Sequence, residues 1–323
     1  MKRKSDDRIL AWVAGVTLAI ALAGRAHEGP EHEIEELTAQ LKNGGDTSDL
    51  LLQRAIEYRV LGQLHSAMKD LEDAARTDPS DHRIGRELAK VQFGLGKTNE
   101  ALATITRALG EEEISKEEKA GLLMIRSGFL IARSELKKAL ADNHQAIQLY
   151  DSNPEWYLQR SNLEWLLKQT KERIAGIDAG LAKTGAGILL VEKVIALLTD
   201  SQYSAALALI EPELESSRIK SSWLLRRAQA RIGLGEKEKA KADLEETLRE
   251  ITPRINPSAP DVSLLLDRSL AHELLGDLAL AKHYYQQAND AGAEPWVKEK
   301  VKSLKERLAK SNPSVGGSEE KVP

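Results

Sequence analysis

AIEYRVLGQLHSAMKDLEDAARTDP, residues 55–79, and AKVQFGLGKTNEALATITRA, residues 89–108, carry one pattern thirty-four residues apart. In the first, Ala55 is followed by Gly62, Ala67, Leu71, Ala74 and Pro79. In the second, Ala89 is followed at the same offsets by Gly96, Ala101, Ile105 and Ala108. Self-similarity at a period of this size marks stacked supersecondary units, each too small to bury its apolar face alone. Two antiparallel helices about 8–10 Å apart need small side chains where their backbones approach, and Ala55 and Ala67 supply them. Gly62 between them takes the left-handed conformation that ends a helix, and Pro79 prevents the second helix from continuing. Each unit reads as a helical hairpin.

Further copies run down the chain. They are Ser127, Ser134, Ala139 and Ala146; Ser161, Ile177 and Gly180, with Arg173 at an alanine site; Val194, Ala206 and Ile210; Ala228, Gly235, Ala240 and Leu244; and Ser269, Gly276, Ala281, Tyr285 and Ala288. Seven units then span residues 48–294, with a small insertion near 116–119 and a longer one from Ile251 to Pro260. Composition agrees with helices. Aromatic residues make up 4% of the chain, Phe occurs 2 times and charged residues make up 30%, a poor basis for a β-sandwich or barrel.

The period and the small-Gly-Ala-apolar-Ala order resemble the tetratricopeptide repeat family over about three quarters of the chain. The resemblance implies an all-α fold: an α-solenoid, or superhelix, of about seven such hairpins closed by a C-terminal capping helix. It also implies a non-enzymatic scaffold or adaptor that holds a peptide or protein in a concave groove lined by the first helix of each hairpin. Groove positions flank the first small residue. In the second hairpin they are Arg83, Arg86, Lys90 and Phe93, and in the fourth Leu158, Asn162 and Trp165. Three cations on one helical face suit an acidic or carboxylate-terminated segment, or else form a solvated basic face. Some family members clamp a terminal carboxylate with Lys and Asn; the matching Asn is absent here. Ile188, Val191, Ile195 and Leu198 read equally as groove floor or as core.

One departure from the family pattern has a regularity of its own. The large residue expected just before the first small site is replaced by Arg54, Arg126, Arg160, Lys193, Arg227 and Arg268, and only Leu88 stays apolar. Sixteen residues after Arg54, Arg126 and Arg227 stand Asp70, Asp142 and Asp243, whereas Leu88 is followed by Thr104. This spacing predicts ion pairs between the two helices of one hairpin. The alternative is arginine stems lying along a solvated face.

The flanks complete the organisation. Within residues 27–47, Ile34, Leu37 and Leu41 lie at helical spacing before Gly44 and Gly45, so an extra helix precedes the array. Residues 295–310 read as a capping helix opened by Pro295, with Trp296, Val297, Val301, Leu304 and Leu308 on one stripe, and 311–323 as a disordered tail. At the start, Lys2, Arg3, Lys4 and Arg8 precede fifteen uncharged residues, Ile9 to Ala23, and small residues through Ala26. Residues 1–26 thus read as a cleaved signal peptide or as an uncleaved N-terminal anchor, and the protein as exported, periplasmic or secreted.

Little in the sequence points to chemistry. Cys is 0, which excludes disulfides and thiol catalysis, and a net charge of -4 gives no nucleic-acid footprint. Gly96, Lys97 and Thr98 imitate the end of a phosphate loop without its first glycine, and His272 with Glu273 lacks a second zinc ligand because Gly276 follows four residues after His272. No cofactor is expected. Cleavage after Ala26 would expose His27, whose amine and imidazole, with His32, could chelate copper. A periplasmic metal-binding role is therefore the alternative to the adaptor, set against two merely solvated histidines.

Overall fold

The computed structural model describes residues 29–311 except 45–46, 112–113 and 293–295. The expectations for residues 1–26, His27, Pro295 and the tail beyond Ser311 lie outside the described residues. Among the described residues all regular structure is helical, and the chain divides after Gly185 into two compact units. The first holds α1 (Pro30–Lys42), α2 (Thr47–Val60), α3 (Leu64–Thr77), α4 (His82–Gly94), α5 (Thr98–Ala108), α6 (Lys116–Ala132), α7 (Leu136–Leu149), α8 (Pro154–Leu166) and α9 (Thr170–Thr184). The second holds α10 (Gly187–Thr199), α11 (Tyr203–Ser216), α12 (Ser221–Gly233), α13 (Lys237–Ile251), α14 (Val262–Leu275), α15 (Leu278–Asp290) and α16 (Trp296–Ser311). From α2 on they pair as hairpins, four in the first unit and three in the second. The additional helix α1 packs on α2, and α16 packs on α15. Each unit is a short α-solenoid.

The small residues sit where the helices cross. Ala67, Ala101, Ala139, Ala206 and Ala281 on the second helices are fully buried, as are Ala55, Ala89 and Ala228 on the first. The fourth hairpin solves the crossing differently: Arg173 occupies the alanine site, buried, and its Nε donates to the Ser161 hydroxyl at 2.9 Å. Leu71, Ile84, Ile105, Leu122 and Leu123 fill the space between hairpins in the first unit. In the second, Leu265, Tyr285, Val297, Val301 and Leu304 close the core beneath α16.

The arginine-aspartate spacing is realised as paired contacts. Asp70 accepts from Arg54 Nε and Nη2 at 2.7 and 2.8 Å, Asp142 from Arg126 at 2.7 Å twice, and Asp243 from Arg227 at 3.1 and 2.8 Å. Where the aspartate is replaced, the arginine finds something else. Gly176 stands opposite Arg160, whose guanidinium lies within 2.8 Å of where a Cβ would be and whose Nε donates to Glu164 at 2.8 Å. Tyr284 stands opposite Arg268 and takes the guanidinium over its ring, 4.0 Å from the centroid.

The structure shows how the chain accommodates the two insertions. Lys116 to Lys119 form the first turn of α6: the Ser115 hydroxyl accepts from the Glu118 N–H at 3.1 Å, and the Glu118 carboxylate accepts from the Ser115 N–H at 3.2 Å. This capping box moves the helix start upstream, so the four extra residues lengthen α6. The Ser115 hydroxyl, then His82, hold the Glu118 carboxyl at about 2. Ile251 is the buried last residue of α13, and the insertion proper begins with a short 3-10 turn, Thr252–Arg254.

In each hairpin the residue seven past the first crossing site is left-handed. Gly62, Gly96, Gly235 and Gly276 fill it with φ of 73° to 89°, but Ser134, Lys168 and Ser201 hold φ near 60° with a side chain present. A side chain there costs roughly 1–2 kcal/mol, part of which glycine gives back through unfolded-state entropy. Lys168→Gly and Ser201→Gly are therefore each expected to stabilise the protein by about 0.5–1 kcal/mol. Urea titration reads this as a raised midpoint with an unchanged slope.

Candidate functional site

In the first unit the first helices α2, α4 and α6 pack on one another in succession. Residues two positions before the crossing site face the neighbouring first helix. On α8, Gln159 donates from Nε2 to the Ser127 hydroxyl of α6 at 3.3 Å. On α4 the corresponding residue is Glu87.

Glu87 is only 3% exposed and gathers three cations. Lys90 Nζ donates to it at 2.8 Å, Arg59 Nε from α2 at 3.0 Å, and Arg86 Nε at 3.1 Å. Burial pushes the Glu87 carboxyl up, but Lys90, Arg59 and Arg86 outweigh it and hold the group below the usual carboxylate range. Burial also pulls the Lys90 ammonium down, against the opposing effect of Glu87. One carboxylate among three cations leaves two positive charges in excess, on side chains that keep 27%, 34% and 28% of their surface at Arg59, Arg86 and Lys90.

The other sequence-predicted residues are placed as follows. Arg83 turns away from this cluster to Asp81, at 2.7 Å, and Asp49, at 3.2 Å. The Phe93 ring stacks on Phe129 of α6 with centroids 4.5 Å apart. Asn162 is half-buried on α8, and Trp165, one turn on, is 39% exposed. In the second unit Ile188 is exposed, while Val191, Ile195 and Leu198 are half-buried. His32 pairs with Glu36 at 3.3 Å. Among the described residues, no group of three or more His, Asp or Glu gathers where a metal could be held, and no helix is long and apolar enough to cross a membrane. His272 stacks on Tyr284, and burial pulls its imidazole pKa down.

On α6, which packs against α4, two helical positions carry no side chain. Gly121 and Gly128 lie seven residues apart on one helical face, and nothing stands within 4 Å of where either Cβ would be. Each costs a helix interior about 0.5–1 kcal/mol against alanine, with no packing in return. Sequence reasoning found Arg86 and Lys90 but missed Arg59 and the buried carboxylate that organises them. The signal was a charged residue two positions before a crossing alanine.

No protein-family model matches the chain, and no curated protein matches it in sequence. Solved structures do. A tetratricopeptide repeat protein from Parabacteroides merdae is similar with a TM-score of 0.60 at 20% identity, over 81% of this chain and 100% of the other. The C-terminal part of a repeat-containing protein of the same kind from Cytophaga hutchinsonii is similar with a TM-score of 0.55 at 13% identity, over 77% and 98%.

Proposed function

We propose that this chain, which has the tetratricopeptide repeat fold, is an exported, non-enzymatic adaptor that binds an acidic polypeptide segment on the inner side of α2, α4 and α6. The observation that carries the reading is the excess of two cations around buried Glu87. Positive potential on a half-exposed face draws and orients a carboxylate-bearing segment. Because Glu87 already holds the three long side chains, less rotamer freedom is lost when a ligand binds. Bare Gly121 and Gly128 leave room for the partner's main chain beside α6, and half-buried Phe93, stacked on core Phe129, offers it apolar surface. Export is supported by the basic start and apolar run of residues 2–23.

The test is fluorescence anisotropy with a labelled decapeptide of alternating Glu and Leu, against the same peptide with Gln for Glu. The acidic peptide is expected to bind at least about tenfold more tightly, and Arg86→Gln with Lys90→Gln to remove most of that preference and flatten its salt dependence. Neutral variants are preferable to charge reversal, which would crowd new carboxylates against Glu87. Equal binding of the two peptides would overturn the reading.

A further inference from the structure

The second unit carries a different arrangement in the same register. Glu192, Arg226 and Asp267 stand two residues before the crossing residues Val194, Ala228 and Ser269, on α10, α12 and α14, and α12 packs against both neighbours. Glu87, in the equivalent position of the first unit, is surrounded by direct partners. Arg226 is not: its Nη1 donates to the Ser222 carbonyl at 2.8 Å and hydroxyl at 2.9 Å, both on its own helix, and its buried Nε has no acceptor among the described residues. Asp267 and Glu192 act on it through the field. The Asp267 carboxylate has no hydrogen bond or ion pair among the described residues. Burial pushes its carboxyl up, against the weaker pull of Arg226. A guanidinium and a carboxylate on adjacent helices, both half-buried, are thus each short of a partner across a gap wider than contact. Such groups are costly unless something completes them.

We infer that Arg226 and Asp267 form a subsite for the main chain of an extended, uncharged peptide segment, whose amide carbonyl accepts from Arg226 and whose N–H donates to Asp267. A trans peptide unit points its C=O and N–H to opposite sides, so a strand lying between α12 and α14 offers one to each. The local charges favour a neutral dipolar ligand. A carboxylate would meet Asp267 as a like charge, and a cation would meet Arg226. Half-buried Leu266 and Leu270 on α14 and exposed Ile232 on α12 supply apolar contacts for alternate side chains of a strand. The inference rests on the adaptor reading only in that the ligand is a polypeptide; it concerns the other unit and a chemically different segment.

The experiment screens the full chain against a pool of acetylated, amidated nonapeptides randomised over Ala, Val, Leu, Ser, Asn and Gln. The best binder is then measured against wild type, Arg226→Met and Asp267→Asn, with circular dichroism melts as the folding check. Each substitution is expected to weaken it about tenfold, with the double variant losing little more than either single one. A scan of single N-methylations of the same peptide should find one amide whose methylation costs wild type about as much but Asp267→Asn little. That scan on wild type keeps the test valid if a variant unfolds. The Glu-Leu decapeptide should bind both variants as it binds wild type. Absence of any enriched peptide from the pool, or equal affinity of the best one for folded variants and wild type, would overturn the subsite. If the decapeptide still binds, the subsite alone falls; if it too fails, the adaptor reading falls with it.

Discussion

Arg126→Leu is expected to destabilise the protein by about 2–3 kcal/mol, and adding Asp142→Thr to restore most of that loss. Asp142 is 7% exposed, and both its oxygens are held at 2.7 Å by the one guanidinium. Removing only the arginine leaves a buried carboxylate with no counter-charge. Such a break costs about 3–5 kcal/mol in a sealed interior and less here, because the arginine side chain keeps 23% of its surface and water can reach the gap. The double variant instead recreates a pair that the molecule already uses: Leu88 and Thr104 stand at the same two positions of the second hairpin, with Thr104 7% exposed. Replacing both partners by groups that need no charge compensation is close to neutral. The third hairpin is the place to test this, since the further contact of Arg126, to the Thr106 hydroxyl, is long at 3.4 Å, whereas Arg54 donates to Thr38 at 2.9 Å and Asp243 also accepts from Arg231 at 2.7 Å. Urea melts of the four proteins in the cycle give the result. Two losses that simply add would mean that the pair contributes through packing alone.

That pairing was legible in the sequence because both partners belong to one hairpin and recur at one spacing, as do the buried alanines and left-handed glycines. The period says nothing about what happens when a slot is filled differently. Gly176 and Tyr284, in place of the aspartate, redirect Arg160 to its own helix and Arg268 onto a ring. The four extra residues at 116–119 were legible only as an insertion, because a period counts residues without saying whether the added ones continue a helix. The Ser115–Glu118 capping box decides that. The candidate site was half legible. Arg83, Arg86 and Lys90 form a stripe on a helical wheel, but Arg83 is drawn off by Asp81 and Asp49, and its place in the cluster is taken by Arg59, 28 residues from Glu87 on the preceding hairpin. Contacts between neighbouring first helices depend on how hairpins stack, and hairpin-internal spacing does not encode that. Arg226 and Asp267 escaped notice for the same reason, since the insertion after Ile251 displaces the repeat between them.

Glycine-to-alanine substitution is expected to have opposite signs at two helical positions, and the second bears on the binding face. At Gly233, the last residue of α12, a new Cβ would stand 2.3 to 2.5 Å from three atoms of the Tyr203 ring on α11. The ring must move or the helices must separate, so Gly233→Ala should cost about 1–3 kcal/mol, and much less in a Tyr203→Ala background where the obstacle is gone. Gly94 meets Leu64 in the same register, but at 3.0 Å from the end of a flexible side chain, so its substitution should cost less. At Gly128, in the middle of α6, the Cβ would meet nothing, and Gly128→Ala should stabilise by about 0.5–1 kcal/mol. A helix that forgoes that stability at both Gly121 and Gly128, beside a cluster of excess cations, is explained if a partner's chain lies against its backbone. Gly128→Ala should then melt higher yet bind the Glu-Leu decapeptide several-fold more weakly. A variant both more stable and equally good at binding would place the acidic segment elsewhere on the cation face, with Arg59, Arg86 and Lys90 engaged from the α2 side.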